Sequence, residues 1–485
     1  MAVKLNNLGK SSISAGKWQF ISVFTQAILQ LYVLYIIARH ISPESFGVIS
    51  LANMAIMFTT VMTHGYLKPA LVQRDEFNEE LARTGFTLSV IQSLIFMAAL
   101  WQVAPYVSIL FDTPQLTEIL KVLSITFFTN GLSLVSEALL ERQLNFKAIT
   151  IANLLAYIVY ATIAITLAEL GYGIWALIWA AVSQSIIRSC SLFYHKRHSI
   201  IPAFDISEVR KLLHFGGGIV LSWLFNYVSI NSDKFIIGKW LGAESLGFYS
   251  MAINIMEMPR KFIAGILDNV LYPALSLIKK DHKRVKSAVL ESLEIVTLFM
   301  LPLSTFMIML MPDTISLLLG NNWIITIIPI QILLSQIPLR AFVRITASVV
   351  TVLGMPYSIA VINSIYMALM IIGVWIGHYW GIIGVAVAVT AVVVVNFFMS
   401  LALLKRKTDI KWIEIIFAIK PGFTICGIVF CMIAVLEWLL TILSTSIFIG
   451  LTAKIIGMSV MLIGIIMFYP AMMGNCWNRR FKHIN

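Results

Sequence analysis

The stretch from residue 36 to 52 recurs at residues 236 to 252, and this repeat constrains the fold more than any other feature of the sequence. The first copy reads IIARHISPESFGVISLA and the second reads IIGKWLGAESLGFYSMA. The same offset of 200 positions pairs Gly16 with Gly216, so the match keeps its register outside the motif. Self-similarity at a fixed offset is the signature of a duplicated structural unit. The sequence therefore predicts two related halves, each containing one copy of a helix–turn–helix segment.

Apolar runs of about 20 residues, each long enough to cross a bilayer as a helix, recur from one end of the chain to the other. Of the 485 residues, 59% are hydrophobic and only 12% are charged, and the mean hydropathy is +0.90. So small a polar fraction cannot cover a soluble core, which excludes an ordinary soluble protein. The four cysteines are too few and too poorly paired to indicate disulfides or a metal site. The chain is therefore predicted to be an all-α polytopic membrane protein.

Charge clusters, prolines and glycines divide the chain into about 14 candidate transmembrane helices. We expect two six-helix lobes related by pseudo-two-fold symmetry, followed by a C-terminal helix pair, as in transporters with parallel repeats. The predicted domains are an N-terminal lobe (1–195), a cytoplasmic linker (196–211), a C-terminal lobe (212–404) and a last helix pair with a basic tail (405–485).

Basic residues concentrate in alternate loops of the predicted topology. The loops FDTPQLTE, ELGYG, MPDTISLLLGNNW and GHYWG contain no Lys or Arg, whereas the loops between them are rich in both. The positive-inside rule then places both termini in the cytoplasm. It also explains the net charge of +12 without a nucleic-acid partner. Lys454 lies toward the other side, and we expect its side chain to extend to the membrane surface.

Polar residues within the candidate spans fall on single helix faces. Asn226, Ser229 and Asp233 follow helical spacing in span seven, and the repeat places Gln26 opposite Asn226. Asn53 belongs to the matching neutral stripe of span two. Neutral polar side chains commonly join helices in membranes, and we interpret these stripes as packing surfaces rather than as a binding site.

Span eight differs because it carries four charges, Glu257, Arg260, Lys261 and Asp268. Each charge at membrane depth costs about 2.5–3.5 kcal/mol on insertion scales, so four exceed the needs of helix packing. Glu257 and Lys261 can pair one turn apart, but the whole set indicates a water-filled cationic cavity. Arg340, near the inner end of span ten, either extends that cavity or reaches the cytoplasm. The candidate substrate-binding residues are Arg260, Lys261, Arg340, Lys234 and Lys121, and the candidate polar or coupling residues are Asp233, Asn226, Glu257, Asp268, Asn53 and Gln26.

The repeat also aligns Gly47 with Gly247, and each glycine comes early in an even-numbered span. A glycine in a membrane helix allows another backbone to approach closely. We therefore expect the two residues to have the same steric role in the two halves.

Enzyme signatures are missing from the sequence. It contains no G-x-S-x-G, H-E-x-x-H or P-loop motif, and no loop is long enough to form a soluble catalytic domain. We expect a transporter without a cofactor or a metal site, rather than an enzyme.

Several segments together resemble the Wzx-type polysaccharide flippases, and within them the colanic acid and O-antigen exporter branch. These segments are ARHISPESFGVISLA, LLERQLNFK, GYGIWAL, NSDKFIIGKWLGAESLGFYSMA and LYPALS. That family belongs to the multidrug/oligosaccharidyl-lipid/polysaccharide exporter superfamily. The likeness covers spans one to twelve and is strongest over residues 36–74 and 226–276.

The resemblance implies a flippase of the bacterial inner membrane that moves an undecaprenyl-diphosphate-linked oligosaccharide to the outer leaflet by alternating access. It implies membrane lipids as surroundings, and a polysaccharide polymerase and a chain-length regulator as partners. A cation-coupled multidrug exporter of the same superfamily is the first alternative, although no Asp or Glu precedes Glu44. A membrane glycan polymerase or ligase is the second, although such enzymes need a large outer loop.

Overall fold

A computed structural model describes residues 25–26, 29–73, 79–206, 209, 224, 226–266, 271–278, 281–408, 410–443 and 446–468. Within these residues the chain is mostly helical and forms no strand. The chain divides into two compact units, and the division falls between Gly247 and Phe248. The prediction of an all-α membrane protein is confirmed.

The first unit contains helices α1 (residues 29–40), α2 (Pro43–Gln73), α3 (Glu79–Leu110), α4 (Leu116–Leu123), α5 (Ile125–Arg142), α6 (Phe146–Glu169), α7 (Ile174–His195) and α8 (residues 226–236). A π-helical turn, Ile237–Leu241, follows α8. Helix α9 (Gly242–Ile266) then begins in the first unit and continues into the second.

The second unit contains helices α10 (Tyr272–Ile278), α11 (His282–Thr314), α12 (Ile327–Leu334), α13 (Ile337–Val352), α14 (Pro356–Gly377), α15 (Gly381–Thr408), α16 (Trp412–Ile442) and α17 (Ile447–Phe468). A π-helical turn and a 3₁₀ turn, Ile315–Leu319 and Asn321–Thr326, connect α11 to α12.

Local sequence explains where several helices begin. At the start of α2 the backbone N–H of Ser45 donates to the Ser42 hydroxyl, and Pro43 occupies the first helical position, where its missing N–H has no cost. At the start of α11 the Asp281 carboxylate accepts hydrogen bonds from the first free N–H groups of the helix. Each cap satisfies backbone donors that would otherwise lack a partner.

Eight stretches of the described residues are long and apolar enough to cross a membrane, and the longest, Tyr357–Arg406, includes both α14 and α15. Large apolar side chains are exposed along these stretches, for example Ile109 and Trp438. Exposed apolar side chains on helices of this length suit contact with lipid. The total of 14 spans and the pseudo-two-fold symmetry stay predictions.

Helices α2 and α9 cross at Gly47 and Gly247. A methyl group on Gly47 would lie 1.7 Å from the carbonyl oxygen of Ala243, and one on Gly247 would lie 1.8 Å from the carbonyl oxygen of Pro43. The contact is reciprocal, because Pro43 and Ala243 are separated by the same 200 positions as the two glycines. The predicted close backbone approach is therefore present at both glycines, and each of them approaches the helix that carries the other.

Candidate functional site

Helix α9 carries the first predicted cation, Arg260, in a closed ion pair. Its Nε and Nη2 donate to the two carboxylate oxygens of Glu257, at 2.6 and 2.5 Å. Such bidentate pairing is the strongest geometry available to an arginine and a carboxylate. The predicted pair between Glu257 and Lys261 lies outside the described residues, because the Lys261 side chain is not among them. An anion that approaches Arg260 must compete with Glu257.

Arg340 on α13 has a different environment. Its Nε and Nη2 both donate to the side-chain oxygen of Gln336, at 3.0 and 2.8 Å. Gln336 is fully buried, and its Nε2 donates to the hydroxyl of Thr390 at 2.7 Å. No carboxylate among the described residues lies within ion-pair distance of Arg340. Within the part of the chain that the structure describes, Gln336 orients this half-buried guanidinium and no carboxylate neutralises it.

Arg340 belongs to a candidate span that runs from Asn321 to Val352. It lies three residues after the start of α13 at Ile337, and the helix continues past it to Val352. Its depth in the membrane, and the choice between a cavity position and a cytoplasmic one, stay predictions.

The remaining predicted cations, Lys121 and Lys234, belong to the first unit. Lys121 on α4 lies 3.4 Å from the carboxylate of Glu118, and the exposed fractions of the two side chains are 35% and 65%. Lys234 on α8 is half-buried, and its ammonium has no carboxylate partner in the described part of the chain. Asp233 is 5% exposed and accepts a hydrogen bond from the backbone N–H of Lys234 at 2.8 Å.

Among the predicted polar residues, Asn53 and Asn226 are exposed and Gln26 is half-buried. A hydrogen bond beside these two asparagines joins α8 to α2, because the hydroxyl of Tyr227 donates to the carbonyl oxygen of Met54 at 2.8 Å. Lys261 lies in α9, but its side chain, like the whole of Asp268, is outside the described residues.

A charged network in the first unit was not predicted. The carboxylate of Glu137 on α5 accepts from Lys68 of α2 at 2.9 Å and from Arg188 of α7 at 2.8 Å. Lys68 also lies 2.6 Å from Glu141, and Arg188 donates to Asn153 of α6 at 2.9 Å. These contacts join four helices with two positive and two negative charges. The spacing of the two glutamates, one turn apart on α5, was the only signal of this network in the sequence.

Lys454 on α17 shows that one expectation is wrong. Its side chain is only 4% exposed, and its ammonium lies 2.6 Å from Asp313 of α11 and 3.8 Å from Glu437 of α16. It therefore does not extend to the membrane surface, because two carboxylates on neighbouring helices compensate its charge inside the unit.

An open apolar groove of about 720 Å³ runs along the surface of the C-terminal helix pair, α16 and α17. Residues from α16 form most of its wall and Gly457 of α17 completes it; the lining residues are Thr424, Gly427, Ile428, Cys431, Met432, Val435, Leu436 and Gly457. The groove lies on a different helix pair from the predicted cations, and an extended apolar chain suits its lining.

Residues 36–328 match the family model described as polysaccharide biosynthesis protein. The succinoglycan biosynthesis transport protein ExoT of Rhizobium meliloti is 24% identical over 306 residues, which are 63% of this chain and 62% of ExoT. The match thus spans less than two thirds of the length of ExoT. The lipopolysaccharide biosynthesis protein WzxC of Escherichia coli is 23% identical over 69% of this chain and 68% of its own.

Two solved structures share the fold. The lipid II flippase MurJ, in an inward closed conformation, superposes with a TM-score of 0.76 at 18% identity, over 93% of this chain and 99% of its own. An inward-facing multidrug transporter of the MATE family gives a TM-score of 0.62 at 17% identity, over 79% of this chain and 96% of its own. At these identities the two comparisons show a shared fold. The chain belongs to the polysaccharide biosynthesis protein family.

Proposed function

We propose that this protein moves an undecaprenyl-diphosphate-linked oligosaccharide from the cytoplasmic to the outer leaflet of the bacterial inner membrane by alternating access. Such a ligand presents an apolar polyprenyl chain, a negatively charged diphosphate and a polar glycan. A carrier for it needs an apolar surface for the chain and a cation for the diphosphate. The glycan then enters the biosynthesis of a surface polysaccharide such as O-antigen, colanic acid or capsule.

The observation that supports this proposal most strongly is the environment of Arg340. Arg340 has no carboxylate partner among the described residues, and a charge of this kind inside a membrane span is energetically costly and commonly marks a functional site. The planar guanidinium matches two phosphate oxygens at once, which a lysine ammonium does not. Arg340 is thus suited to hold the diphosphate at membrane depth, and Arg260 becomes a second contact when Glu257 releases it.

The groove between α16 and α17 supports the other half of the proposal. It is open and almost entirely apolar, so a polyprenyl chain loses no hydrogen bonds on entering it. Two of its lining residues, Gly427 and Gly457, have no side chain that could fill the groove. The ligand would then be held at two places, the chain by the groove and the diphosphate by the cations.

The names of the relatives agree with this reading. ExoT is named as a transport protein for succinoglycan biosynthesis and MurJ as a lipid II flippase. The predicted inner-membrane location, the cytoplasmic termini, and the association with a polymerase and a chain-length regulator are parts of the same proposal.

Complementation of a flippase-null strain tests the proposal, with surface glycan and membrane-inserted protein measured in the same cells. Arg340→Ala should abolish glycan export while protein abundance stays near normal, and Arg340→Lys should keep part of it. Arg344→Ala is the matched control, since Arg344 lies one turn further along α13 and is exposed. Normal glycan from Arg340→Ala, and also from the Arg260→Ala, Lys261→Ala double variant, would contradict the cationic mechanism.

A cation-coupled multidrug exporter is the second candidate, because MATE transporters share the fold. Drug susceptibility of the same strain separates the two functions. Restored drug resistance without restored glycan would favour the exporter over the flippase.

A further inference from the structure

Gln336 occupies the short break between α12, which ends at Leu334, and α13, which begins at Ile337. Its backbone oxygen accepts the N–H of Arg340 at 2.9 Å, so its side chain lies one helical turn before that arginine. The residue is 0% exposed, and a buried amide of this kind must have its hydrogen bonds satisfied.

The direction of the hydrogen bonds is determined along the whole network. The Thr390 hydroxyl on α15 donates to the carbonyl oxygen of Ala386 at 2.8 Å, so its oxygen is an acceptor for the Gln336 NH₂ group. The amide oxygen of Gln336 must then point to Arg340, where it accepts both N–H groups. Thr390 therefore sets the orientation of the amide, and the amide sets the orientation of the guanidinium.

Among the described residues, Arg340 differs from Arg260, Arg188 and Lys454 in having an amide and no carboxylate as its side-chain partner. Each of those three cations has a carboxylate partner. An amide oxygen orients a guanidinium as a carboxylate does, but it adds no negative charge. Two of the five N–H donors of a guanidinium are used in this way, and the others remain available for an anion.

We propose that Gln336, anchored by Thr390, is a positioning residue that holds Arg340 in place for a phosphate group of the transported lipid while leaving its positive charge uncompensated. This proposal rests on the proposed function and adds the residues that prepare its anion contact. At Arg260 an arriving anion must displace Glu257, whereas at Arg340 no carboxylate of the described residues has to leave.

Gln336→Glu is the sharpest test, because glutamate has nearly the same shape and still accepts both N–H groups. The change should weaken the binding of farnesyl diphosphate to the purified full-length protein by roughly tenfold, since the new carboxylate neutralises Arg340. Farnesol, which lacks the diphosphate, should bind equally to both proteins.

Further variants separate positioning from folding. Gln336→Met and Thr390→Val keep the charge but remove the orientation, so each should weaken binding by a few-fold, whereas Thr390→Ser should bind normally. Gln331→Glu is the matched control, because Gln331 lies in the same span and donates to the Ile308 carbonyl rather than to an arginine. If Gln336→Glu does not accumulate, Gln336→Met and Thr390→Val decide the question.

The outcomes distinguish the two proposals. Normal binding by Gln336→Glu, or by Gln336→Met and Thr390→Val together, overturns the positioning role, while loss of export in Arg340→Ala would still support the flippase. Normal binding and export by Arg340→Ala would overturn the proposed anion contact itself.

Discussion

At the scale of single residues, Lys454 is buried in an otherwise apolar helix and has two carboxylates within ion-pair distance. Desolvation of an ammonium is expensive, and Asp313 at 2.6 Å provides most of the compensation. The contact connects α17 to α11, and the two residues that form it are 141 positions apart in sequence. The pair therefore holds the C-terminal helix pair in the second unit.

We expect Asp313→Asn to lower the thermal stability of the purified protein more than Lys454→Met. The reason is that Lys454 is the more buried partner, with 4% of its side chain exposed against 27% for Asp313. Breaking a buried pair costs about 3–5 kcal/mol. The double variant should recover much of the loss, and Glu118→Gln, which breaks an exposed pair with Lys121, should cost less than about 1 kcal/mol. Equal losses in the two single variants would show that burial does not determine the cost.

His198 makes a second prediction at this scale, in the linker that follows α7. Its ring contacts Phe86 and Phe193, and burial lowers the pKa of the imidazole below its ordinary value despite a hydrogen bond to the Ser199 carbonyl. The His198 imidazole therefore takes up a proton more readily when the linker has moved away from Phe86 and Phe193 than when it is packed against them. Packing of the linker thus weakens as the pH falls through about 6.5.

Deuterium uptake by residues 196–204 should accordingly be faster at about pH 5.5 than at about pH 7.5, after correction for the intrinsic exchange rate. His198→Phe should remove this difference, because phenylalanine cannot titrate. An unchanged pH effect in His198→Phe would assign it to another group.

At the scale of helices, the repeat predicted the close approach of α2 and α9 at Gly47 and Gly247. The equivalence of Gly47 and Gly247 followed from sequence alone because it depends on a local pattern that occurs twice. The contact of Gln336 with Thr390 did not, because these residues are 54 positions apart and belong to different helices. Local repeats and caps are visible in a sequence, whereas contacts between distant helices depend on packing. The same reason explains the missed Lys68–Glu137–Arg188 network.

Gly47→Ala and Gly247→Ala should each reduce the amount of folded protein, and by similar degrees. A methyl group at either position would overlap a backbone carbonyl, so the helices must move apart, at a cost of about 1–3 kcal/mol. Gly464→Ala is the control, since a methyl group there meets nothing within 4 Å. Fluorescence-detected size-exclusion chromatography of membrane extracts measures the effect. Normal levels for both crossing variants would show that the contact is not needed for folding.

At the scale of the whole molecule, composition was sufficient to predict an all-α membrane protein, because a chain with 12% charged residues has few other ways to fold. The orientation of the chain in the bilayer is still a prediction from its basic loops. Single cysteines in a cysteine-free background test it. For the position in a predicted outer loop we choose Gln115, because its side chain is exposed whereas that of Thr113 in the same loop is buried.

Gln115→Cys should react in intact cells with a thiol reagent that does not cross membranes, and Arg197→Cys should react only after the membrane is opened. The physical reason is the positive-inside rule, which assigns the two positions to opposite sides. Both side chains are exposed, so accessibility within the protein does not bias the comparison. Labelling of position 197 in intact cells would reverse the assigned orientation.

The reciprocal contact at Gly47 and Gly247 also bears on the origin of the chain. A contact in which each partner presents the same surface to the other is the kind that two identical subunits form around a two-fold axis. A half-length ancestor with this glycine would have made the contact as a homodimer, and one mutation would then have changed both sides at once. In that scheme, fusion of the two copies removes the constraint, and the residues that face the opposite glycines do differ, Pro43 in one copy and Ala243 in the other.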